Sequence, residues 1–342
     1  MHSKHSSRQP FRFGVEVTPD RPISEAVALA KASEHAGIEA VFVSNHFDNR
    51  DPALILAQIA TQTDSISLGP GVLNPYEAHP ARLATHAATL DELSDGRAVL
   101  GVGAGDRSTL HALGIEHDRP ARRVDETISV CRRLWGGERV DHEGTFSMRD
   151  GQLNYSAGEI PIYVGAQGPV MLRMGAAVAD GLLVNAAHPR DYQWAREHIT
   201  AGRERRAPEL EPARIAAFAS VSVAEDAERA RAAARPPVAF ITAGAPGETV
   251  DRHELDPDRV AQVQAAMAEG EHGRAYELVS PAMLDAFSVT GTPEDVEKRL
   301  AALLAEADAV VFGSPLGPDP LDAIEILGGV VDRLQEAVTW SR

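Results

Sequence analysis

The sequence predicts a (β/α)8 TIM barrel, and three observations carry that expectation. Eight apolar stretches of strand length alternate with helical stretches, the order that builds a parallel sheet wrapped by helices. Four of the strands stop on small and polar residues: Phe42 running to Asp51, Leu100 to Asp106, Ile162 to Pro169 and Leu182 to Pro189. Such strand ends are where parallel α/β enzymes keep their chemistry. No natural midpoint boundary divides the 342 residues, and the strand count favours the barrel over a doubly wound open sheet.

The elements follow in order. Strand one is Phe11 to Thr18. Pro22 opens a helix through His35, and Gly37 closes it. Strand two is Ala40 to Ser44, and Asp51 caps a helix that starts at Pro52 and runs to Thr61. Ser65 to Leu68 is strand three, Pro80 to Leu93 a helix, and Ala98 to Val102 strand four. Helices then begin at Ser108 and span Arg119 to Leu134, and Arg139 to Tyr155 is a short β excursion. Strand five is Ile160 to Val164 and strand six Gly181 to Val184, with a helix from Val170 to Val178 between them. A helix from Arg190 to Arg203 leads to strand seven, Ile215 to Val223, and Glu225 to Ala234 begins another. Ala309 to Phe312 is strand eight, and Asp319 to Val338 is the final helix. Residues 1–10 read as a loose polar tail and 11–342 as one barrel domain. Its insertions follow strands four and seven, the second a helical segment at 236–286 over the barrel mouth.

Composition narrows the function. The net charge is -17, and the repulsion of phosphates argues against nucleic acid as a partner. Only Lys4, Lys31 and Lys298 are lysines; the other basic residues are arginine. Two settings fit this balance: a soluble acidic protein from a GC-rich genome, or an intracellular protein of a salt-loving organism, where excess charge keeps proteins soluble under strong screening. No apolar run reaches the roughly 18 residues of a membrane span, and the polar start lacks the apolar segment of a secretory signal. A cytoplasmic location is the expectation. Cys131 is the lone cysteine and reads as a small core residue. The 13 histidines show no H-E-x-x-H, so no metal site is expected. No G-x-S-x-G nucleophile motif occurs, and Trp135, Trp194 and Trp340 are too scattered for a nucleic-acid platform.

Several strand-end residues can carry chemistry. Glu16 lies between Val15 and Val17, so alternation points it opposite to both. An inward carboxylate at a strand end suits acid/base work, or is a hydrogen-bonded structural residue. Asn45 and His46 end strand two, where His is easily poised near neutral pH. Gly69-Pro-Gly71-Val72 permits unusual backbone that can press against a flat ring, or is an ordinary turn. Gly101-Val-Gly-Ala-Gly105-Asp106 fails the dinucleotide pattern G-x-G-x-x-G, because Asp106 stands where the third Gly belongs. Asp106 is either a second carboxylate at the mouth or a helix cap. Gln167 and Gly168 precede Pro169 at a helix start, an arrangement that binds phosphate or is a plain turn.

Together these stretches resemble the bacterial-luciferase-like superfamily of flavin and deazaflavin barrels, and within it the methylenetetrahydromethanopterin reductase family. The similar segments include Phe13 to Glu16, Val43 to His46 with Asn49 to Asp51, Gly69 to Val72, Gly96 to Asp106, Val164 to Pro169, Asp180-Gly181 with Asn185 and His188-Pro189, Gly291 to Asp295, and Gly313 to Pro318. They run from about residue 11 to 330 of the chain.

The resemblance implies reduced coenzyme F420 as hydride donor, a methylene-tetrahydropterin as acceptor (tetrahydromethanopterin or tetrahydrofolate), and a homodimer or homotetramer. It implies a cis peptide at Gly71–Val72 behind the deazaflavin ring, and contacts to the cofactor from Asn45, His46 and Asn185. Gln167 and Gly168 would hold its phosphate, and Glu16 and Asp106 would be the catalytic carboxylates. Asn45 departs from the Asp usual in the family, which argues against proton handling there. FMN is the alternative cofactor, in a monooxygenase on the same scaffold, and a non-catalytic flavin-binding relative is a third reading. A dimer would use the small residues Ala81, Ala84, Ala87 and Ala88 for close helix contact.

Overall fold

The computed structural model describes residues 10–339. The expected tail, apart from Pro10, and Trp340 lie outside the described residues. Eight parallel strands form the barrel: β1 (Phe13–Val17), β2 (Ala40–Val43), β3 (Ser67–Pro70), β4 (Leu100–Val102), β7 (Ile162–Gly165), β8 (Gly181–Asn185), β9 (Arg214–Val223) and β11 (Ala309–Leu316). They neighbour one another in the order β3, β2, β1, β11, β9, β8, β7, β4. The two ends of that order meet through bridges between Leu68 and Ala98 and between Leu73 and Val102, so the sheet closes on itself and leaves little free edge.

Alternation sorts the strand residues into two layers. Phe13, Val15 and Val17 of β1 and Val41 and Val43 of β2 point outward into the main core beneath the helices. Phe11, Ala40, Phe42, Tyr163, Leu183, Ala216, Ala309 and Val311 fill the lumen instead. Phe42 meets Phe11 and Phe218 edge-on, with centroids 5.6 and 6.3 Å apart. The lumen is therefore a packed aromatic plug, and ligands are confined to the mouth above it.

The surrounding helices are α1 (Ile23–His35), α2 (Pro52–Gln62), α3 (Pro80–Leu93), α4 (Arg107–Ala112), α5 (Pro120–Trp135), α6 (Pro169–Val178), α7 (Pro189–Arg203), α13 (Pro293–Leu304) and α14 (Pro320–Thr339). Their ends carry the expected signals. The Asp51 side chain accepts from Ala53 N at 2.7 Å to cap α2, and Gly37 takes a φ of 74° just past α1, a conformation glycine adopts without penalty. Cys131 is buried, and burial pushes its thiol up to about 12, as befits an inert core residue.

After α5 an antiparallel hairpin, β5 (Val140–Glu143) and β6 (Ser147–Gly151), folds back along the outside. After β9 the chain builds a helical cap: α8 (Ala227–Gly244), α9 (Gly247–Arg252), α10 (Pro257–Ala268), α11 (His272–Leu278) and α12 (Pro281–Phe287). This cap has its own apolar cluster around Val238, Val263, Leu284 and Phe287. It is joined to the start of α7 by Asp191, which accepts from Arg252 at 2.6 Å and lies 3.1 Å from His253 Nε2.

Three features differ from the sequence expectation. Helix α8 does not stop at Ala234 but continues through Pro236 and Pro237, because Ala234, Val238 and Ala239 bury against the cap and packing outweighs the helix penalty of proline. The short strand β10 (Val289–Gly291), paired with Val221–Val223 of β9, and helix α13 were not anticipated. The small residues Ala84, Ala87 and Ala88 are not a free stripe. They are buried in this chain's own core, where Trp135 Nε1 of α5 donates to Ala84 O at 3.0 Å.

Candidate active site

All nine residues singled out in the sequence lie at the C-terminal ends of barrel strands, at one mouth. Glu16 closes β1, Asn45 and His46 follow β2, Gly71 and Val72 follow β3, Asp106 follows β4, Gln167 and Gly168 follow β7, and Asn185 ends β8. Parallel strands of one closed sheet bring these ends together.

The floor of the mouth is the segment after β3. Gly71–Val72 is a cis peptide, as the resemblance implied. A Cβ at Gly71 would stand 3.0 Å from Phe42 Cβ and 3.6 Å from Phe218 Cε2, so this backbone rests directly on the aromatic plug. The Val72 side chain points towards glycines. A Cβ at Gly103 would lie 2.7 Å from Val72 Cγ2, and one at Gly165 3.4 Å from it. Gly101 is required for a different reason, since its Cβ would sit 2.0 Å from Pro70 O. The missing side chains leave a shallow, nearly apolar floor that fits a flat ring.

Glu16 is half-buried beside this floor, on the inward face. Its Oε1 accepts the hydroxyl of Ser44, and its Oε2 accepts the backbone N–H of Ser314 at 3.0 Å. The Ser314 peptide is itself held: Ser220 Oγ donates to Ser314 O at 2.8 Å, and the Thr18 and Ser314 hydroxyls are 2.5 Å apart. Gly313 makes room, because a Cβ there would come within 3.2 Å of Glu16 Oε2. Ser44, Gly313 and Ser314 lay within segments that carry the resemblance but were given no role in the site. The signal for Ser44 was available, since it is in phase with the inward residues Ala40 and Phe42.

Asp106 is the N-cap of α4, accepting from Thr109 N at 2.7 Å and from the Ser108 hydroxyl. Partial burial raises its carboxyl, but the bonds from Ser108 and Thr109 outweigh that and hold it below the usual range. It is an exposed, ionised carboxylate at the rim. The turn carrying it sits on Asn74, which is 4% exposed. Gly105, at a φ of 73°, would bring a Cβ within 3.1 Å of Asn74 Cγ. Asn74 in turn accepts from Tyr76 N and Glu77 N at 3.1 and 3.0 Å.

Gln167 and Gly168 are exposed at the start of α6. Gly168 is its N-cap and makes no side-chain cap bond, so the first-turn amides stay available to an anion. His46 and Asn185 are exposed and Asn45 half-buried on the rim. Among the described residues no cluster of metal-ligating side chains occurs. A cavity of about 240 Å³ beside Tyr192, Arg203, Ile215 and Asp308 opens at the opposite end of the barrel and touches none of these residues.

The chain belongs to the luciferase-like monooxygenase family, whose model matches residues 6–309. Within that class it is similar to reductases. It is 40% identical over 324 residues to the 5,10-methylenetetrahydromethanopterin reductase of Archaeoglobus fulgidus, covering 93% of this chain and 98% of that one. The enzyme of the same name from Methanolobus tindarius is 39% identical, covering 92% and 98%. The structure of the coenzyme F420-dependent tetrahydromethanopterin reductase from Methanopyrus kandleri superposes with a TM-score of 0.88 at 34% identity, covering 94% of this chain and 98% of that one. The barrel and the family likeness read from the sequence are both borne out.

Proposed function

We propose that this chain is an oxidoreductase that transfers hydride from reduced coenzyme F420 to 5,10-methylenetetrahydromethanopterin, giving the 5-methyl form. The full-length similarity to reductases of that name carries the reading, and the glycine-cleared floor beside a held carboxylate supports it. The FMN monooxygenase reading is not favoured, because the relatives matched over almost their whole length are reductases. The non-catalytic reading is disfavoured by the retention of Glu16 and Asp106 at the mouth. Tetrahydrofolate in place of tetrahydromethanopterin is an arm of the test.

When bound, F420 supplies a hydride from C5. The chain's residues do the rest. Val72 and Gly71 would back one face of the ring and so position it against the pterin. The backbone amides of Gln167 and Gly168, at the entry to α6, would hold the phosphate at that helix N-terminus. Asn45, His46 and Asn185 would contact the cofactor from the rim. The bond from the methylene carbon to one pterin nitrogen breaks as that nitrogen takes a proton, and the iminium carbon left behind accepts the hydride. Glu16 delivers that proton. Asp106, kept ionised by its cap bonds, stabilises the cationic iminium form of the opening bridge. Asn45 is neutral and takes no part in proton transfer.

The acidic balance supports an intracellular setting in a salt-loving organism, and the proposed pterin substrate places the reaction in one-carbon metabolism. Among the described residues no helix is long and apolar enough to cross a membrane. A homodimer or homotetramer is the expected assembly, and exposed Leu54 of α2 and Leu93 of α3 supply apolar surface for it.

Cofactor choice is tested by equilibrium titration. F420 is expected to bind saturably, and FMN far more weakly, with no oxygen uptake under a flavin reductant. Tight FMN binding with oxygen uptake would move the assignment to a monooxygenase.

A further inference from the structure

The two oxygens of Glu16 have partners of different kinds. The Ser314 N–H at Oε2 can only donate. The Ser44 hydroxyl at Oε1 can donate or accept by rotating. A hydrogen on Oε1 therefore leaves the Ser314 bond intact and asks only that Ser44 turn. A hydrogen on Oε2 would have to share that oxygen with a fixed donor, on a peptide pinned by Ser220 Oγ at 2.8 Å. Ser44 is 2% exposed, so water does not replace it readily.

We propose that Ser44 is a positioning residue for Glu16: it places the transferable proton on Oε1 and stabilises the carboxylate once that proton has gone. Before transfer Oε1–H donates to Ser44 Oγ. For transfer the Oε1–H turns from Ser44 Oγ to the leaving pterin nitrogen; the O–H bond of Glu16 breaks, its electron pair stays on Oε1, and an N–H bond forms on that nitrogen. Afterwards the Ser44 hydroxyl swings back and donates to Oε1, the arrangement found in the structure. The part this plays in turnover rests on the reductase reading; the hydrogen bond to the protonated acid does not.

Two readouts keep the two apart. The first is infrared. In acidified protein, the carboxyl C=O band of Glu16 is identified by its loss in Glu16→Gln. It is expected to shift in Ser44→Ala, which removes the hydrogen-bond partner, and to stay in place in Thr18→Val, which removes the hydroxyl beside that of Ser314. An unmoved band in Ser44→Ala would overturn the proposal. The second is kinetic. Ser44→Ala is expected to lower kcat about tenfold or more, within the range of proton-transfer effects, with pterin KM and F420 affinity unchanged, and Ser44→Thr to restore most of it. Wild-type kcat in Ser44→Ala would also overturn it. Ser44→Cys, a weaker donor of similar size, is expected to fall between and serves if the alanine variant does not fold. A wild-type protein that binds F420 but reduces no pterin would sink the reductase reading alone, and the infrared result would still decide Ser44.

Discussion

Glu16 shows how far alternation carries a sequence reading. Val15 and Val17 go outward and Glu16 goes inward, as their order implied. What the order could not give is the grip on its carboxylate, because Ser314 lies 298 positions away and is brought alongside only by the β1–β11 pairing. Glu16→Gln is expected to lower kcat about a hundredfold or more while F420 still binds, as judged by fluorescence titration; near-normal turnover would shift the proton role to another group. Asp106 was open between rim carboxylate and cap. The cap is now visible, and the electrostatic role joins it as a proposal. The clearance around Val72 had no sequence signal, since Gly103 and Gly165 matter only through their distance to it. Gly103→Ala places a Cβ 2.7 Å from Val72 Cγ2. Overpacking of that kind costs about 1–3 kcal/mol, so F420 affinity is expected to fall about tenfold, with global stability reporting whether the loss is local.

At the scale of elements, pattern worked where periodicity was long and failed where packing decided. α3 was read to the residue. Helix α13 begins with a capping box, Thr292 with Asp295, and its Gly291-Thr-Pro-Glu-Asp295 start was legible although the helix itself was not drawn. β10 is three residues long, too short for any alternation to register. The β5–β6 hairpin was visible as a β excursion, but not its anchor. Glu126 of α5 accepts from Thr145 N and Thr145 Oγ1 at 2.7 and 2.6 Å and from Arg122 Nε at 2.7 Å, with His142 Nε2 3.2 Å away. Burial raises the Glu126 carboxyl, but these bonds overcome it and lower it from 4.5 to about 2. A folded value below the unfolded one stabilises at pH above the unfolded value and loses that contribution as pH falls from about 4.5 towards 2. Glu126→Gln is therefore expected to cost about 1–3 kcal/mol at neutral pH, read by urea denaturation, and to flatten the acid side of the stability curve. An unchanged acid limb would show that the hairpin is held by other contacts.

For the whole molecule, the eight-strand count and the single mouth could be read from the sequence. Closure could not, because it rests on two isolated bridges, Leu68–Ala98 and Leu73–Val102, that no local pattern encodes. The lumen plug was equally hidden, being assembled from Phe11, Phe42, Tyr163 and Phe218 on four separate strands or their approaches. The net charge of -17 bears on the molecule as a whole. Self-repulsion among surface carboxylates is relieved by salt, so the melting temperature and activity are expected to rise from dilute buffer to molar KCl. Light scattering over the same range reports the assembly; a monomer throughout would remove the dimer, and maximal stability in dilute buffer would remove the salt-loving setting.

Anaerobic turnover tests the central claim most directly. The protein is mixed with reduced F420 and 5,10-methylenetetrahydromethanopterin in high salt, and deazaflavin absorbance and fluorescence are followed, with methylenetetrahydrofolate in parallel. A rise in oxidised F420, matched by 5-methyl product and dependent on Glu16, is the expected result. No oxidation of F420 with either pterin, from protein that binds F420, would contradict it.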